Sequence, residues 1–446
     1  MTEIFSFDDE ELATHVQTGL TLEEKEELED SPNLLSTLNF STNPKKRSDS
    51  VISVGSINNR LGTSYEVGIQ QPYFAVSSKE SEPIPAAKKL KPKVSDFEPL
   101  KVLGRGAYGK VILVRETRSG KLYAQKQLKK ASMVVEAKNY ERTVNERTIL
   151  ERVNHPNIVK LFYAFQDFDK VYLILEYLEG GELFTHLAEQ NILSERIASF
   201  YVAEIILALR HLHLNVGVVY RDLKPENCML NRKGYLVLTD FGLSKVSTRD
   251  GKSNTLTGTP QYMAPEILQE QPYDYAVDWW SLGAVCYDLL TGSPPFTGSG
   301  KKQVLNKIVA TKTLKTPHYV SQDARDILVK LLRKSPLKRL NCDENFETIK
   351  NHRFFRHLDW EALIRQDDIA QPPPIIPVVT NPELAENFDA DFTSMPISPP
   401  GSPYDAPVFS RREESSFIPI TKTTDKTSVE SVYFKNFSYT TEGYLE

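Results

Sequence analysis

The fold class of this chain is decided by the sequence Tyr-Arg-Asp-Leu-Lys-Pro-Glu-Asn at residues 220–227, followed by Asp-Phe-Gly at residues 240–242. An Asp beside a Pro in a loop is usually only a turn residue. Two such segments, with Asp240 placed 18 residues after Asp222, are however hard to produce by chance. Phosphoryl transfer needs an acceptor for a hydroxyl proton and hard oxygen ligands for magnesium. Asp222 suits the first role, and Asn227 and Asp240 suit the second.

A glycine-rich segment, Gly-Arg-Gly-Ala-Tyr-Gly at residues 104–109, lies between two apolar, strand-like stretches. Glycines let a backbone turn tightly and approach phosphate oxygens without a Cβ in the way. Dinucleotide-binding oxidoreductases use the same spacing, but they require a helix directly after the glycines. Here residues 111–114, Val-Ile-Leu-Val, continue as a strand. Taken alone, the segment fits a nucleotide-binding loop and an ordinary glycine-rich hairpin equally well.

Lys126 lies inside the apolar strand pattern that follows the glycines. Most lysines only solvate a surface. A lysine beside a phosphate-binding loop can instead supply a point charge to phosphate oxygens, provided that a carboxylate holds it in place. Glu146, in the helical pattern of residues 140–153, is the predicted partner, and an ordinary solvated glutamate is the alternative.

The composition indicates a globular chain with a sizeable core, because 40% of the 446 residues are hydrophobic and 25% are charged. This excludes a small disulfide scaffold, a collagen-like chain and a wholly disordered one. The net charge of −5 is too balanced for a dedicated nucleic-acid binder, so we expect no nucleic-acid partner. The acidity is concentrated in residues 1–30, which carry eleven acids and one base.

The three cysteines, Cys228, Cys286 and Cys342, form no Cys-x-x-Cys pattern and cannot pair completely, which predicts a reducing compartment. The sequence contains no run of about 18 apolar residues, so it predicts no membrane span, and its first residues have no signal-peptide pattern. We therefore expect a cytoplasmic protein. Short basic runs at residues 45–47 and 88–91 leave nuclear access open, with solvated linker charge as the alternative.

Three regions follow one another along the chain. Residues 1–93 alternate acidic and Ser/Asn-rich sequence, which predicts disorder. Residues 94–355 begin with strand patterns and continue with helical spacing, which predicts a β-rich lobe followed by an α-rich lobe with a cleft between them. Residues 356–446 hold eleven of the 27 prolines and cannot form a compact core, so this tail is expected to pack against the rest of the chain.

The ordered set of motifs resembles that of eukaryotic protein kinases over approximately residues 97–355. It also includes Ala-Pro-Glu at residues 264–266 and Asp-Trp-Trp-Ser-Leu-Gly at residues 278–283, and Arg339 is placed to pair with Glu266. The resemblance implies an α+β, bilobal kinase fold with an N-lobe at about 94–177 and a C-lobe at about 178–355. It departs at Tyr220, where His is commonest, but Tyr is usual in one branch, so activity is still expected.

The same resemblance implies ATP and Mg²⁺ as cofactors and assigns roles to individual residues. Lys224 joins Asp222, Lys126 and Glu146 as a catalytic residue, and Leu175 is the gatekeeper. The residues implied to bind ATP are Leu103, Gly104, Arg105, Gly106, Ala107, Tyr108, Gly109, Lys110, Val111, Ala124, Lys126, Glu176, Leu178 and Met229. Glu176 and Leu178 would act through their backbone groups.

The tail resembles that of the AGC group of serine/threonine kinases. Asn-Phe-Asp at residues 387–389 matches a segment whose aromatic ring approaches adenine, and Ser398 and Ser438 match two phosphorylation sites. Phe434 and Phe437 would dock on the β-rich lobe, and Thr255 matches the activation-loop phosphorylation site. Upstream kinases are therefore expected to act at Thr255 and Ser438.

Substrate preference also follows from the resemblance. Glu182 and Glu226 match positions that accept arginines before the phosphorylated Ser or Thr, and Thr259 should face the acceptor hydroxyl. We therefore expect basic protein substrates and a monomeric enzyme.

Within the AGC group, the sequence looks closest to kinases of a small-subunit ribosomal protein, downstream of the target of rapamycin. Kinases under serum or sphingolipid control are the near rival. Residues 5–9 loosely resemble a docking signal for target-of-rapamycin complexes, with an ordinary acidic start as the alternative. A pseudokinase scaffold is a rival of another class. It usually lacks one of Lys126, Asp222, Asn227 and Asp240, and all four are present here.

Overall fold

The computed structural model describes residues 92–106, 109–135, 137–246, 259–397 and 437–441. Its first part is an antiparallel sheet in which the strands are ordered β1-β2-β3-β5-β4. These strands are β1 (Phe97–Arg105), β2 (Gly109–Glu116), β3 (Leu122–Lys129), β4 (Leu161–Gln166) and β5 (Lys170–Glu176). The predicted strand at residues 111–114 lies within β2.

The sheet is covered on both faces, as strand β2 shows. Ile112 and Val114 pack in one apolar cluster, whereas Leu113 between them packs in another. Successive side chains of a strand point to opposite faces, so three consecutive buried residues require two covered faces. Two helices belong to this lobe, α1 (Lys130–Val135) and α2 (Ala137–Arg152). The helix predicted for Glu146 is α2, whereas the short helix α1 was not predicted.

The second lobe is mainly helical and is built around two buried helices. Its helices are α3 (Leu183–Gln190), α4 (Glu195–Arg210), α5 (Pro265–Leu268), α6 (Ala276–Thr291), α7 (Lys301–Ala310), α8 (Gln322–Leu331), α9 (Phe346–Lys350) and α10 (Trp360–Arg365). Two small antiparallel sheets pair β6 (Val218–Val219) with β9 (Lys245–Val246) and β7 (Cys228–Leu230) with β8 (Leu236–Leu238). The predicted α+β, bilobal kinase fold is thereby confirmed.

Helix α4 begins where Ser194 caps it, since the Ser194 side chain accepts a hydrogen bond from Ile197 N. Twelve of its sixteen residues are buried, so it lies in the core. It continues as a π-helical turn, His211–Val216, which ends at Gly217 in a left-handed conformation. Among the described residues, Glu195–Val216 alone is long and apolar enough to span a membrane, but 78% of that window is buried inside the protein. It is therefore accounted for as a core helix.

The tail packs against both lobes. It contains the short helix α11 (Ala390–Thr393), and the later strand β10 (Tyr439–Thr440) pairs with β4 at the edge of the sheet. Gly234 has φ +94°, and a Cβ at this position would lie 1.9 Å from the carbonyl oxygen of Ile375. Gly181 has φ +70°, and its Cβ would lie 2.1 Å from the carbonyl oxygen of Asn387. Both glycines are thus needed for the tail backbone to pass this close to the core.

Candidate active site

Strand β3 places Lys126 between β2 and β5, opposite Val111 and Leu173. Its Nζ lies 2.8 and 2.9 Å from the two carboxylate oxygens of Glu146 on helix α2. The same Nζ lies 3.0 Å from Oδ1 of Asp240, just after β8. The contact predicted between Lys126 and Glu146 is therefore present, and it includes the Asp of the Asp-Phe-Gly segment.

The charges at this junction favour a permanently protonated lysine. Burial lowers the pKa of Lys126, but the charges of Asp240 and Glu146 outweigh burial and raise that pKa above its ordinary value. The Lys126 ammonium in turn lowers the pKa of Asp240. Burial raises the pKa of Glu146, against the opposing effect of Lys126. The site thus offers a fixed positive charge to an anionic ligand.

The loop that carries Asp222 is held by its own side chains. Nδ2 of Asn227 donates to the Asp222 carbonyl oxygen at 2.8 Å and to Asp222 Oδ2 at 2.9 Å. Nζ of Lys224 lies 3.0 Å from the same Oδ2. The second oxygen, Asp222 Oδ1, is buried and has no hydrogen-bond partner among the described residues. A carboxylate oxygen is thus left over that could accept a proton from a bound hydroxyl.

The protonation behaviour of Asp222 fits a proton acceptor. Burial raises its pKa to about 6, Asp240 adds to the increase, and Lys224 and Asn227 oppose it. A general base works best when its pKa is near the operating pH. Asp222 can therefore be ionised at neutral pH and still bind a proton during a reaction.

Helix α6 anchors the backbone of this loop. Asp278 accepts hydrogen bonds from Tyr220 N at 2.7 Å and from Arg221 N at 2.8 Å. The fully buried Tyr220 packs edge-on against Phe241, with the ring centroids 5.2 Å apart, and its hydroxyl donates to the carbonyl oxygen of Thr239. Tyr220 therefore links the loop to the Asp-Phe-Gly segment, which is the supporting role expected for its position.

Residues 97–355 match the model of the protein kinase domain. The chain belongs to the protein kinase family. Curated relatives include Serine/threonine-protein kinase YPK3 of Saccharomyces cerevisiae, which is 45% identical over 361 residues and covers 67% of this chain and 68% of the relative. The RAC family serine/threonine-protein kinase homolog of Dictyostelium discoideum is 47% identical over 302 residues, or 67% of this chain and 66% of the relative.

Ribosomal protein S6 kinase beta of Caenorhabditis elegans is 45% identical over 334 residues, which cover 73% of this chain. The chain spans 59% of that relative's length. Together, the domain match and these relatives show a serine/threonine protein kinase of the AGC type. Such an enzyme uses ATP and a divalent metal ion, acts on protein substrates and has upstream kinases.

The kinase's ATP site lies between the β1–β2 hairpin and the segment after β5. Gly106 N donates to the carbonyl oxygen of Gly109 at 3.0 Å, which closes the hairpin. A Cβ at Gly109 would lie 2.0 Å from the Gln127 carbonyl oxygen, so this glycine allows β2 to approach β3. Gly104, Arg105 and Lys110 are also in this hairpin, whereas Ala107 and Tyr108 lie outside the described residues.

An apolar cluster forms the adenine side of this site. It contains Leu103, Val111 and Ala124 together with Phe388 of the tail. The Phe388 ring stacks on Tyr177, with centroids 5.8 Å apart and an angle of 22° between the planes. The expectation that this tail aromatic approaches the adenine site agrees with the placement of its ring.

At the end of β5 and just after it, Glu176 and Leu178 are the residues predicted to contact the edge of adenine through their backbone groups. Glu176 N donates to the Lys160 carbonyl oxygen, so this N–H is already bonded within the protein. The Leu178 carbonyl oxygen likewise accepts from Gly181 N. Met229, on the other lobe, is partly buried against the main core.

The predicted metal ligands, Asn227 and Asp240, have the hard oxygen donors that suit Mg²⁺. Asn227 uses its Nδ2 to hold Asp222, which leaves the amide oxygen, and the Asp240 side chain is about half exposed. The described residues contain no group of three or more His, Cys, Asp or Glu side chains that could hold a metal. A metal bound by one or two protein oxygens and by phosphate oxygens fits this arrangement.

Further acidic side chains lie near Glu182 and Glu226, the two residues predicted to accept arginine. Burial raises the pKa of Glu182 to about 7, and Glu226 and Asp389 add to the increase. The carboxylate of Asp288 accepts a hydrogen bond from the Tyr262 hydroxyl at 2.7 Å, and Glu226 contributes to the raised pKa of Asp288 after burial. Asp288 and Asp389 were missed by sequence reasoning. The second lies in the tail segment that was considered only for its aromatic ring.

Thr259 lines the same small cavity as Asp222, together with Tyr262 and Ser281. Thr259 thus lies near Asp222, and its contact with the acceptor hydroxyl of a substrate stays a prediction. The predicted pairing of Arg339 with Glu266 is confirmed, since two buried nitrogen–oxygen contacts of 2.6 and 2.9 Å join them. The pair lies beneath the substrate-facing segment and fixes its end.

The phosphorylation sites can be placed only in part. Ser438 is exposed, directly after Phe437, which is 4% exposed and packs with the main core. Thr255, Ser398 and Phe434 lie outside the described residues, as does the candidate docking signal at residues 5–9.

Proposed function

We propose that this kinase transfers the γ-phosphoryl group of Mg²⁺-bound ATP to Ser or Thr hydroxyls that follow arginines in protein substrates. The observation that carries the proposal is Asp222 Oδ1, a buried carboxylate oxygen without a hydrogen-bond partner among the described residues. Asp222 and Thr259 line the same small cavity, and Lys224 lies beside the other carboxylate oxygen of Asp222. This is the arrangement that a hydroxyl nucleophile needs.

The proposed reaction divides its work among the side chains already described. Lys126, held by Glu146 and Asp240, positions phosphate oxygens, and Asp222 accepts the proton of the attacking hydroxyl. Lys224 offsets negative charge on the transferred group. Asn227 and Asp240 would hold Mg²⁺, which neutralises phosphate charge when bound. The γ-phosphorus–oxygen bond to ADP breaks as the bond to the Ser or Thr oxygen forms.

The preference for arginine rests on the acidic group formed by Glu182, Glu226, Asp288 and Asp389. Arginine presents a planar fork of donors that matches carboxylates. Burial, and after it the charges of Glu226 and Asp389, raise the pKa of Glu182, so part of the increase comes from repulsion between acids. A basic substrate segment would relieve the repulsion.

The proposal is tested by phosphorylation of an oriented peptide library with purified protein. We expect Ser and Thr acceptors and enrichment of Arg on the N-terminal side, and Asp222→Asn should abolish incorporation. Glu182→Gln should weaken the arginine preference, whereas Glu347→Gln, on the exposed surface of α9, should leave it intact. Equal rates for Arg and Ala peptides would overturn the specificity, and a rate for Asp222→Asn within about tenfold of the unsubstituted protein would overturn the mechanism.

Regulation by upstream kinases is proposed at Thr255 and Ser438. A phosphate on Thr255 could pair with Arg221, whose guanidinium donates to the Leu243 carbonyl and the Tyr273 hydroxyl. Thr255→Ala should therefore leave little activity toward an Arg peptide. Turnover equal to that of the unsubstituted protein would reject this role.

The biological setting is proposed from the relatives. Similarity to proteins named ribosomal protein S6 kinases supports a small-subunit ribosomal protein as the proposed substrate. A monomeric, cytoplasmic enzyme with access to the nucleus, acting in growth and nutrient signalling, stays a prediction from the sequence. The test is phosphorylation of purified small ribosomal subunits, with Asp222→Asn as the control. Labelling absent from every subunit protein would reject that substrate.

A further inference from the structure

A buried histidine joins two carboxylates beneath the catalytic loop. His213 lies in the π-helical turn after α4, and its side chain has no exposed surface. Its Nε2 is 2.8 Å from Asp278 Oδ2, and its Nδ1 is 2.9 Å from Asp343 Oδ2. Asp278 is the residue that holds the backbone of Tyr220 and Arg221, immediately before Asp222.

The hydrogen bonds define the charge of this histidine. A neutral imidazole has one N–H donor and one acceptor nitrogen, whereas a carboxylate can only accept. Asp278 already accepts from two backbone N–H groups, and Asp343 Oδ2 also accepts from Trp279 Nε1 at 3.2 Å. Both ring nitrogens of His213 must therefore donate, which requires the imidazolium form. A neutral ring would leave a lone pair facing a carboxylate.

Asp343 depends on this cation. It lies between Arg339 and helix α9, 130 residues from His213 along the chain. Its Oδ1 is buried and accepts no hydrogen bond within the described part of the chain. His213 and Trp279 are thus the donors recorded for the Asp343 carboxylate, and the positive charge of His213 offsets its burial.

We propose that Asp343 keeps His213 charged, and that the charged His213 is a positioning residue that fixes Asp278 and, through the Tyr220–Arg221 backbone, places Asp222. The link to Asp222 rests on the proposed function. Neutral His213 would release Asp278 from one side, and the loop before Asp222 would lose its fixed position. The inference concerns Asp343 and the charge, which no motif in the sequence indicates.

The protonation equilibrium agrees with this geometry. Burial lowers the pKa of His213, but the hydrogen bonds to Asp278 and Asp343 and their charges outweigh it and raise that pKa to about 9. Tyr275 also contacts the ring, with centroids 4.7 Å apart, and Arg210 and Asp343 both act on the neighbouring Cys342. The stabilisation from charged His213 is complete below about pH 6.5, the pKa of an unfolded histidine, and is lost as pH rises through 9.

The first test is an NMR titration of the histidine rings and of the Tyr220 and Arg221 amides in the full chain. We expect one histidine to stay protonated to about pH 9, with the two amide signals moving at the same midpoint. Asp343→Asn should lower that midpoint by about one pH unit or more, since loss of a nearby charge has this size of effect. Titration of all eight histidines below pH 7.5 would overturn the proposal.

The second test is the pH dependence of kcat. Asp343→Asn should move the alkaline limb to lower pH and leave KM for ATP and peptide unchanged, whereas a merely structural loss would lower kcat equally at every pH. Asp326→Asn is the matched control, because Asp326 contacts His352 at 2.9 Å on the exposed surface. Superimposable profiles for Asp343→Asn and the unsubstituted protein would overturn the positioning role. A chain without kinase activity would instead defeat the proposed function, and the NMR midpoints would still decide this inference.

Discussion

The two halves of the active site are supported in different ways. The Asp222 half stands on helix α6, where thirteen of sixteen residues are buried and where Asp278 holds the loop backbone. The Lys126 half depends on side chains from three separate elements that meet at one ammonium group. On its helix α2, Arg147 lies over the ring of Tyr439 in the tail, 5.9 Å from the ring centroid. The difference indicates that one half carries a fixed catalytic group, whereas the other half can be tuned through the tail.

The largest effect is expected from a substitution of Asp222, the proposed proton acceptor in the fixed half. Asp222→Asn keeps the shape of the side chain but removes the basic oxygen, so kcat should fall by about 10³-fold, within the range for general bases. Binding of ATP should persist, because Lys126 and Asp240 are unchanged. Steady-state kinetics and nucleotide titration measure the two quantities. A loss below tenfold would show that Asp222 is not the proton acceptor.

A smaller effect is expected where the tunable half loses its tail contact. Phe437→Ala removes a buried ring, at a cost of about 3–5 kcal/mol to the packing of this segment. We expect kcat/KM for ATP to fall by about 30-fold, a typical size for coupling between distant sites. Hydrogen exchange at β4 and α2 should rise in parallel.

The exposed Phe168, at 55% exposure on the same lobe, supplies the control for this prediction. Phe168→Ala removes an equal ring that is mainly in solvent, and it should leave both kcat/KM and exchange unchanged. Unchanged hydrogen exchange in Phe437→Ala would show that the tail does not stabilise helix α2, and it would contradict the difference drawn between the two halves.

A pH-dependent effect is expected at Glu182, where the two halves and the tail meet. Because its pKa is raised to about 7, Glu182 is mostly protonated at pH 6 and ionised at pH 8. The KM for an Arg peptide should therefore fall by about fivefold between pH 6 and 8, as the ionised fraction rises. Glu182→Gln should raise KM and flatten this dependence. Equal KM values at the two pH values for the unsubstituted enzyme would contradict the assignment.

The smallest effect is expected at the exposed pair between Arg115 and Glu383, whose charged groups lie 2.9 Å apart. Partly exposed ion pairs contribute about 0–1 kcal/mol, so Glu383→Gln should change KM for ATP by about fivefold or less. A double-mutant cycle with Arg115→Gln isolates the pair. A coupling above about 1 kcal/mol would make this contact a stronger tether than its exposure allows.

Much of the catalytic geometry could be predicted from sequence, because its residues lie in short, contiguous segments. Asp222 and Asn227 are five residues apart, and the helical pattern around Glu146 is visible locally. The strand at residues 111–114 could likewise be distinguished from a helix, which excluded the oxidoreductase reading.

The parts that could not be predicted depend on contacts between distant residues. Asp343 meets His213 across 130 residues, and neither position has a sequence pattern that marks it. Asp389 acts on Glu182 only because the tail crosses the cleft. The π-helical turn also escaped prediction, since its side-chain spacing resembles that of the α-helix that it extends.

Gly181 and Gly234 have a practical consequence for anyone who dissects or recombines this enzyme. A methyl group at either position would overlap a carbonyl of the tail, so a tail can be transplanted only onto a partner with glycine at both places. The family match ends at residue 355. A polypeptide that ends there would lack the tail backbone that contacts Gly181 and Gly234, and it would expose the face of the Tyr177 ring that stacks on Phe388. Ligand discovery should therefore use a piece that extends at least to residue 397.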